Sequence, residues 1–260
     1  MQRRVFLTSL AATLMSASSR LPANRNVKWA LSAALWSHYP PGPFSDILDV
    51  MSDTGFTGIR LTGYPGILQT YNLTASQLER EISKRNLHVV AISFGGPVND
   101  PSRHKEVVAK AREAMRFLQG FGANRLVVFP PSRLKQTQAA DSAFEAMCKG
   151  FNLIGEAAGE MGFKAGVHNH LGEMVQGPEE VDRCMQLTDP KLFNFAPDTA
   201  HSFLGGCNVP ATFEKYKDRL IFMDYKDARW TTPVADVILP NGKVHPRDSS
   251  EAKFFDSIYD

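Results

Sequence analysis

The sequence predicts an α/β fold, a (β/α)8 TIM barrel, on two observations. From about residue 26 onward, short apolar runs alternate with stretches whose apolar residues fall at helical spacing. Three polar clusters, His168-Asn169-His170, Asp198-Thr199-Ala200-His201 and Asp224-Tyr225-Lys226-Asp227, also each follow an apolar run, about one strand-plus-helix unit apart. Side chains alternate along a strand, so His168 and His170 share a face, as do Asp224 and Lys226. Parallel strands closed into a barrel would carry all of these to one C-terminal mouth.

Residues 27–35 read as the first strand. In 44–54, Phe44, Ile47, Leu48 and Met51 mark a helix face; Gly55-Phe56-Thr57-Gly58 closes it before the strand 59–61. A helix begun by Thr74, with Leu78 and Ile82 on its apolar side, leads to the strand 87–94. Helix 103–119 carries Val107, Ala111, Met115 and Leu118 on one stripe, and Phe121-Gly122-Ala123-Asn124 then opens the strand 125–129. Helix 141–160 carries Phe144, Met147, Phe151 and Ile154, and Met161-Gly162-Phe163 precedes the strand 164–167. Helix 178–187, strand 193–196, helix 211–216 and strand 220–225 follow. That makes about seven units where a closed barrel needs eight, so the last strand is expected to be missing and the chain cut short. Past Arg229 a long connection reaches one further expected element, 252–259.

The 260 residues, 43% hydrophobic and 22% charged, suffice for one large core. The opening Gln2-Arg3-Arg4-Val5-Phe6-Leu7-Thr8, with the small apolar stretch behind it, resembles a twin-arginine export signal. Residues 1–24 are read as that signal, 25–260 as the barrel domain, and the location as periplasmic or extracytoplasmic. The apolar run is shorter than the ~20 residues a bilayer demands, so no membrane span is expected. The formal charge of +2 falls to about zero without Arg3 and Arg4, which argues against nucleic acid as a partner. Cys148, Cys184 and Cys207 are odd in number and lack a CxxC spacing, and Cys148 and Cys184, in expected helices, read as core fillers.

Val167-His168-Asn169-His170-Leu171-Gly172, Asp198-Thr199-Ala200-His201 and Arg219-Leu220-Ile221-Phe222-Met223-Asp224-Tyr225-Lys226-Asp227 resemble the strand-five, strand-six and strand-seven signatures of the sugar phosphate isomerase/epimerase family. That family includes inosose dehydratase and the xylose isomerase-like TIM barrels, and the resemblance covers most of the chain after the signal. It implies one divalent metal held by a Glu, an Asp, a His and a second Glu from different strands. Asp198 matches the family Asp. His168 stands where many members have the first Glu, Asp224 stands where they have the His, and the final Glu would lie on the missing strand. The set His168, Asp198 and Asp224 still offers mixed nitrogen and oxygen donors that suit Mn, Zn, Fe or Co.

Such a metal, holding adjacent oxygens of a hydroxy-ketone, acidifies the carbon-bound proton between them for removal by a nearby base. His170 and His201 are the candidates for proton transfer, since imidazole titrates near neutrality, and Lys226 for stabilising an oxyanion. Trp36 and His38 after the first strand, and Tyr64 after the second, are expected at the mouth, where aromatic faces stack on sugar rings. Glu173 and Gln176 are expected to reach substrate hydroxyls. Plainer readings stand beside these: Asp198 as a helix N-cap, Asp224 paired with Lys226 or Arg229, the aromatic residues as core. Gly95-Gly96-Pro97 and Pro130-Pro131-Ser132 do not spell a phosphate cradle, so the expected substrate is an unphosphorylated sugar or keto-sugar.

The expected function is a metal-dependent sugar isomerase/epimerase working by proton abstraction next to a carbonyl. The alternatives are a dehydratase/lyase on an inosose or 3-keto-sugar, and a non-catalytic carbohydrate-binding relic or inactive fragment. Homo-oligomerisation stays open.

Overall fold

The computed structural model of the chain describes residues 29–40, 42–134, 138–249 and 252. The twin-arginine segment and, apart from Ala252, the expected element 252–259 lie outside the described residues.

The chain begins with β1 (Ala30–Ser32), a 3-10 turn (Ala33–His38), α1 (Phe44–Asp53) and β2 (Gly58–Leu61). After α2 (Gly66–Thr70), α3 (Ala75–Lys84) and β3 (His88–Phe94) come α4 (His104–Gln119), β4 (Arg125–Val128) and α5 (Gln138–Glu160). Then follow β5 (Lys164–Val167), α6 (Pro178–Leu187), β6 (Phe193–Phe195), α7 (Thr199–Leu204), α8 (Val209–Tyr216) and a hairpin of β7 (Val237–Ile238) and β8 (Val244–His245). The first six strands pair in parallel in the order β1-β2-β3-β4-β5-β6, each with its predecessor in sequence, as a barrel requires.

Local chemistry accounts for most of these elements. Parallel strands are covered on both faces, which is why they read as unbroken apolar runs; all of β2 and most of β4 and β5 are buried. Thr74 and Gln77 cap α3 reciprocally, a capping box, and the stripe Val107, Ala111, Met115 and Leu118 buries one face of α4. Gly162 takes φ +75° at the end of α5, a left-handed turn that a side chain would strain, and so redirects the chain into β5. Phe151 of α5 stacks on Phe193 of β6 at 4.7 Å, tying the longest helix to the sheet. All three cysteines are free and buried, as expected of Cys148 and Cys184 as core fillers.

Two expected strands are corrected. The first strand stops at Ser32 because the Ser32 hydroxyl accepts from Ala34 N–H at 3.2 Å and caps the 3-10 turn. The segment 220–225 lies alongside β6 without forming a continuous ladder. It holds on through isolated bridges at Leu220 and Asp224, with Ile221 N–H donating to Phe195 O (3.0 Å) and Asp224 N–H to Pro197 O (2.9 Å). The ladder fails because β6 is short, Pro197 offers no N–H, and Asp198 turns the chain into α7. The helices α2 and α7 and the β7–β8 hairpin were not foreseen. No helix among the described residues is long and apolar enough to cross a membrane.

Candidate metal centre and its mouth

His168 follows β5, Asp198 follows β6, and Asp224 lies in the segment beside β6, so the C-terminal ends of neighbouring strands bring these distant residues together. One ligand atom from each lies within 4.8 Å of the others. His168 Nε2 is 3.9 Å from Asp198 Oδ2 and 3.8 Å from Asp224 Oδ2. All are buried.

Hydrogen bonds orient His168 and Asp198. His168 Nδ1–H donates to Ala196 O at 2.8 Å, so in the neutral ring Nε2 turns a lone pair toward the carboxylates. Burial drives this imidazole down to about 4, outweighing the opposing pull of Asp224, so it is neutral near pH 7. Asp198 caps a helix with one oxygen and turns the other to the cluster. Its Oδ1 accepts from Ala200 N–H (2.9 Å) and His201 N–H (3.0 Å), capping α7, while Oδ2 faces His168. Behind it, Asn169 Nδ2 donates to Ser202 Oγ at 3.0 Å, bracing β5 against α7.

Arg60 is the residue that sequence reasoning missed. It projects from β2 just after a register shift between Ile59 and Arg60, and is 4% exposed. Its Nη1 donates to Ser93 Oγ (2.7 Å) and its Nη2 to Ser32 Oγ (2.9 Å), while Nη2 also lies 2.9 Å from Asp224 Oδ2. A charged residue inside the otherwise buried Ile-Arg-Leu run was the available signal. Lys226 Nζ sits 2.5 Å from Asp198 Oδ2 and is held there by backbone bonds between Lys226 and Thr199 Oγ1 (2.6 and 2.8 Å).

A divalent cation fits this donor set. Three oxygen and nitrogen lone pairs converge, His168 brings no proton to the meeting point, and Asp224 Oδ2 is buried without a hydrogen bond despite its ion pair to Arg60. Lys226 and the cation would compete for the same oxygen of Asp198.

Above the cluster, His170 and His201 lie ring to ring, with centroids 3.4 Å apart. Their tautomers are set by one residue: Leu171 O accepts from His170 Nδ1–H at 2.9 Å, and Leu171 N–H donates to His201 Nδ1 at 3.2 Å. Neutral His170 therefore presents a lone pair at Nε2, and neutral His201 carries its proton there. Burial lowers the pKa of both, His201 far below the ordinary value, with His170 adding to the effect.

A cavity of about 1010 Å³ contains this mouth and continues past Arg60 to the N-terminal ends of the strands near Trp29, Phe56 and Asn124. Of the residues expected at the mouth, His38, His170, His201 and Lys226 line it together with His168 and Asp224. Trp36 and Tyr64 do not; Trp36 packs against the core and Tyr64 stacks on Phe117 of α4 at 4.7 Å, the plainer reading of both. Glu173 and Gln176 are also absent from the lining. Gln176 Oε1 accepts from Gly172 N–H at 2.9 Å and closes its own loop. Glu173 bridges Ser132 across that loop, with Oε2 buried without a partner, and burial pushes its carboxyl up to about 8.

The parallel β/α architecture and the convergence of donors at its C-terminal face define a TIM-barrel protein with a candidate metal centre. The chain belongs to the xylose isomerase-like TIM barrel family, whose match spans residues 48–240. It is 26% identical over 219 residues to the inosose dehydratase of Bacillus velezensis, covering 79% of this chain and 72% of that protein. A sugar phosphate isomerase/epimerase from Parabacteroides distasonis shares the fold at TM-score 0.63 and 16% identity, over 88% of this chain and 80% of that one. The IOLI protein, solved with a zinc atom, shares it at TM-score 0.63 and 14% identity, over 77% and 74%.

Proposed function

We propose that this protein is a metal-dependent dehydratase that removes water from a hydroxylated keto-cyclitol or keto-sugar. Dehydration moves ahead of the isomerisation expected from the sequence because curated relatives matching most of the chain are named inosose dehydratase. The observation that carries the reading is the pair of complementary tautomers at His170 and His201, whose tilted rings meet beside the donor set of His168, Asp198 and Asp224.

Eliminating water needs one group to take a proton from carbon and another to give a proton to the departing oxygen. His170 Nε2 takes the carbon-bound proton beside the carbonyl. The electron pair left on carbon forms the new double bond as the neighbouring C–O bond breaks; the departing oxygen takes the His201 Nε2 proton and leaves as water, and the proton taken by His170 passes to the adjoining His201, so both rings end neutral. A divalent ion held by His168, Asp198 and Asp224 supplies Lewis acidity toward the substrate oxygens. Asn169 and the Asp198 cap keep the donors in place, and Arg60 orients Asp224. Arg3-Arg4 with Phe6-Leu7 supports an extracytoplasmic location, which fractionation of cells expressing the full chain would test.

The function is tested by incubating metal-loaded protein with an inosose in deuterated water. Metal-dependent loss of water, reduced at least ~100-fold in His170→Gln, is expected. Deuterium exchange or inversion at carbon without loss of water would instead favour an epimerase. No exchange and no elimination would contradict both.

A further inference from the structure

The mouth above the donor cluster is built largely from basic side chains that come from separate segments. Lys226 enters from the stretch beyond Asp224, His38 from the turn after β1, and Lys243 and His245 from the β7–β8 hairpin; all line the cavity. The hairpin is fastened over the mouth. Asn241 N–H donates to His38 O and Asn241 Nδ2 to Ser37 O, both at 3.0 Å, while Asn241 Oδ1 accepts from Lys243 N–H at 3.0 Å.

Counter-charge is scarce there. Asp224 is the only carboxylate among the described lining residues, and Arg60 holds it. Lys226 is committed to Asp198, whereas Lys243 forms no ion pair with any described residue. His38 is lowered by burial first and then by the positive fields of Lys243, His245 and Lys226, which puts these groups within electrostatic reach of one another. Lys243 thus brings an uncompensated positive charge to a concave opening, where an entering anion is favoured.

We propose that this mouth is an anion subsite: the substrate carries a carboxylate or phosphate that pairs with Lys243 and accepts hydrogen bonds from His38 and His245. The glycine runs form no phosphate cradle, so side chains take the anion instead of backbone N–H groups. The proposal rests on the dehydratase reading only in that the same substrate reaches His170 and the metal donors below. A phosphate at this subsite would depart from the sequence expectation of an unphosphorylated sugar, whereas a carboxylate would not.

The test measures binding of D-glucuronate, D-glucose 6-phosphate and D-glucose to the full chain by calorimetry at low salt. At least one of the two anionic sugars is expected to bind ~10-fold or more tightly than D-glucose, about 1.4 kcal/mol, and whichever does so identifies carboxylate or phosphate as the group recognised. Lys243→Met removes that preference and Lys243→Arg restores it; Lys243 is exposed, so thermal unfolding should be unchanged in both. Equal binding of all three sugars, or a preference that survives Lys243→Met, would overturn the subsite. Elimination of water is scored separately, from an inosose and from a keto-sugar acid. A protein that prefers anionic sugars yet eliminates water from neither keeps the subsite and loses the dehydratase; the reverse result does the opposite.

Discussion

β1 to β6 and the stretch from Leu220 onward hold their share of the site by different means. In the paired strands, ladder bonds join each strand to the next, and Leu61, Ile92, Leu126, Val167 and Phe195 are fully buried. From Leu220 the chain keeps isolated bridges and a hairpin of two-residue strands, and it exposes Tyr225, Trp230, Val234 and Ile238. His168 and Asp198 are therefore placed by the sheet, and Asp224 chiefly by its bridge to Asp198 and its ion pair with Arg60. The difference teaches that this centre has a rigid side and an adjustable side, with Arg60 as the link between them.

Arg60→Met breaks that link most severely. It leaves Asp224 buried without its counter-charge, which costs about 3–5 kcal/mol, read as a lowered midpoint in urea unfolding. The double variant Arg60→Met with Asp224→Leu should recover most of the loss; if it does not, Arg60 acts through packing and not through Asp224. Next in size is the contrast in packing. Gly155 of α5 faces Leu192 O so closely that an added Cβ would clash with it, so Gly155→Ala should cost about 1–3 kcal/mol. Val234, 92% exposed, should tolerate Ser within about 0.5 kcal/mol. Equal costs in thermal unfolding would erase the distinction between the two regions.

A smaller effect separates the two oxygens of Asp198. Asp198→Asn keeps an Oδ1 that can cap α7 but loses the charge facing His168, whereas Asp198→Ala also forfeits the cap, a further cost of about 1 kcal/mol. Both should lose metal, and only the second should show the added loss of stability. The last contrast is read through pH, at the buried carboxyl of Glu173. Its folded carboxyl titrates near 8 against an ordinary 4.5, so the folded state holds a proton that the unfolded state releases. Stability should fall as pH rises from about 4.5 to about 8 and then level off, and Glu173→Gln should flatten that slope in unfolding titrations.

The sequence made His168, Asp198 and Asp224 legible because metal-binding residue types followed apolar runs at strand-helix intervals. It did not reveal that Asp224 would lack a ladder, since that depended on how soon Pro197 and Asp198 ended β6. Trp36 and Tyr64 were placed at the mouth on proximity to strand ends, but an aromatic residue there has the same local signature whether it faces the mouth or a helix. Arg60 lay in plain view inside an apolar strand, although its partner is far away in sequence. The hairpin carrying Lys243 and His245 has strands too short to leave a periodic pattern.

The central claim is that His168, Asp198 and Asp224 hold a divalent ion for which Lys226 competes. Calorimetric titration of metal-stripped protein with Zn²⁺ and Mn²⁺ tests it most directly. The wild type should bind about one ion per chain, His168→Ala should lose it, and Lys226→Met should bind about tenfold more tightly, because Asp198 Oδ2 is freed. No binding by the wild type, or binding unchanged in His168→Ala, would contradict the account.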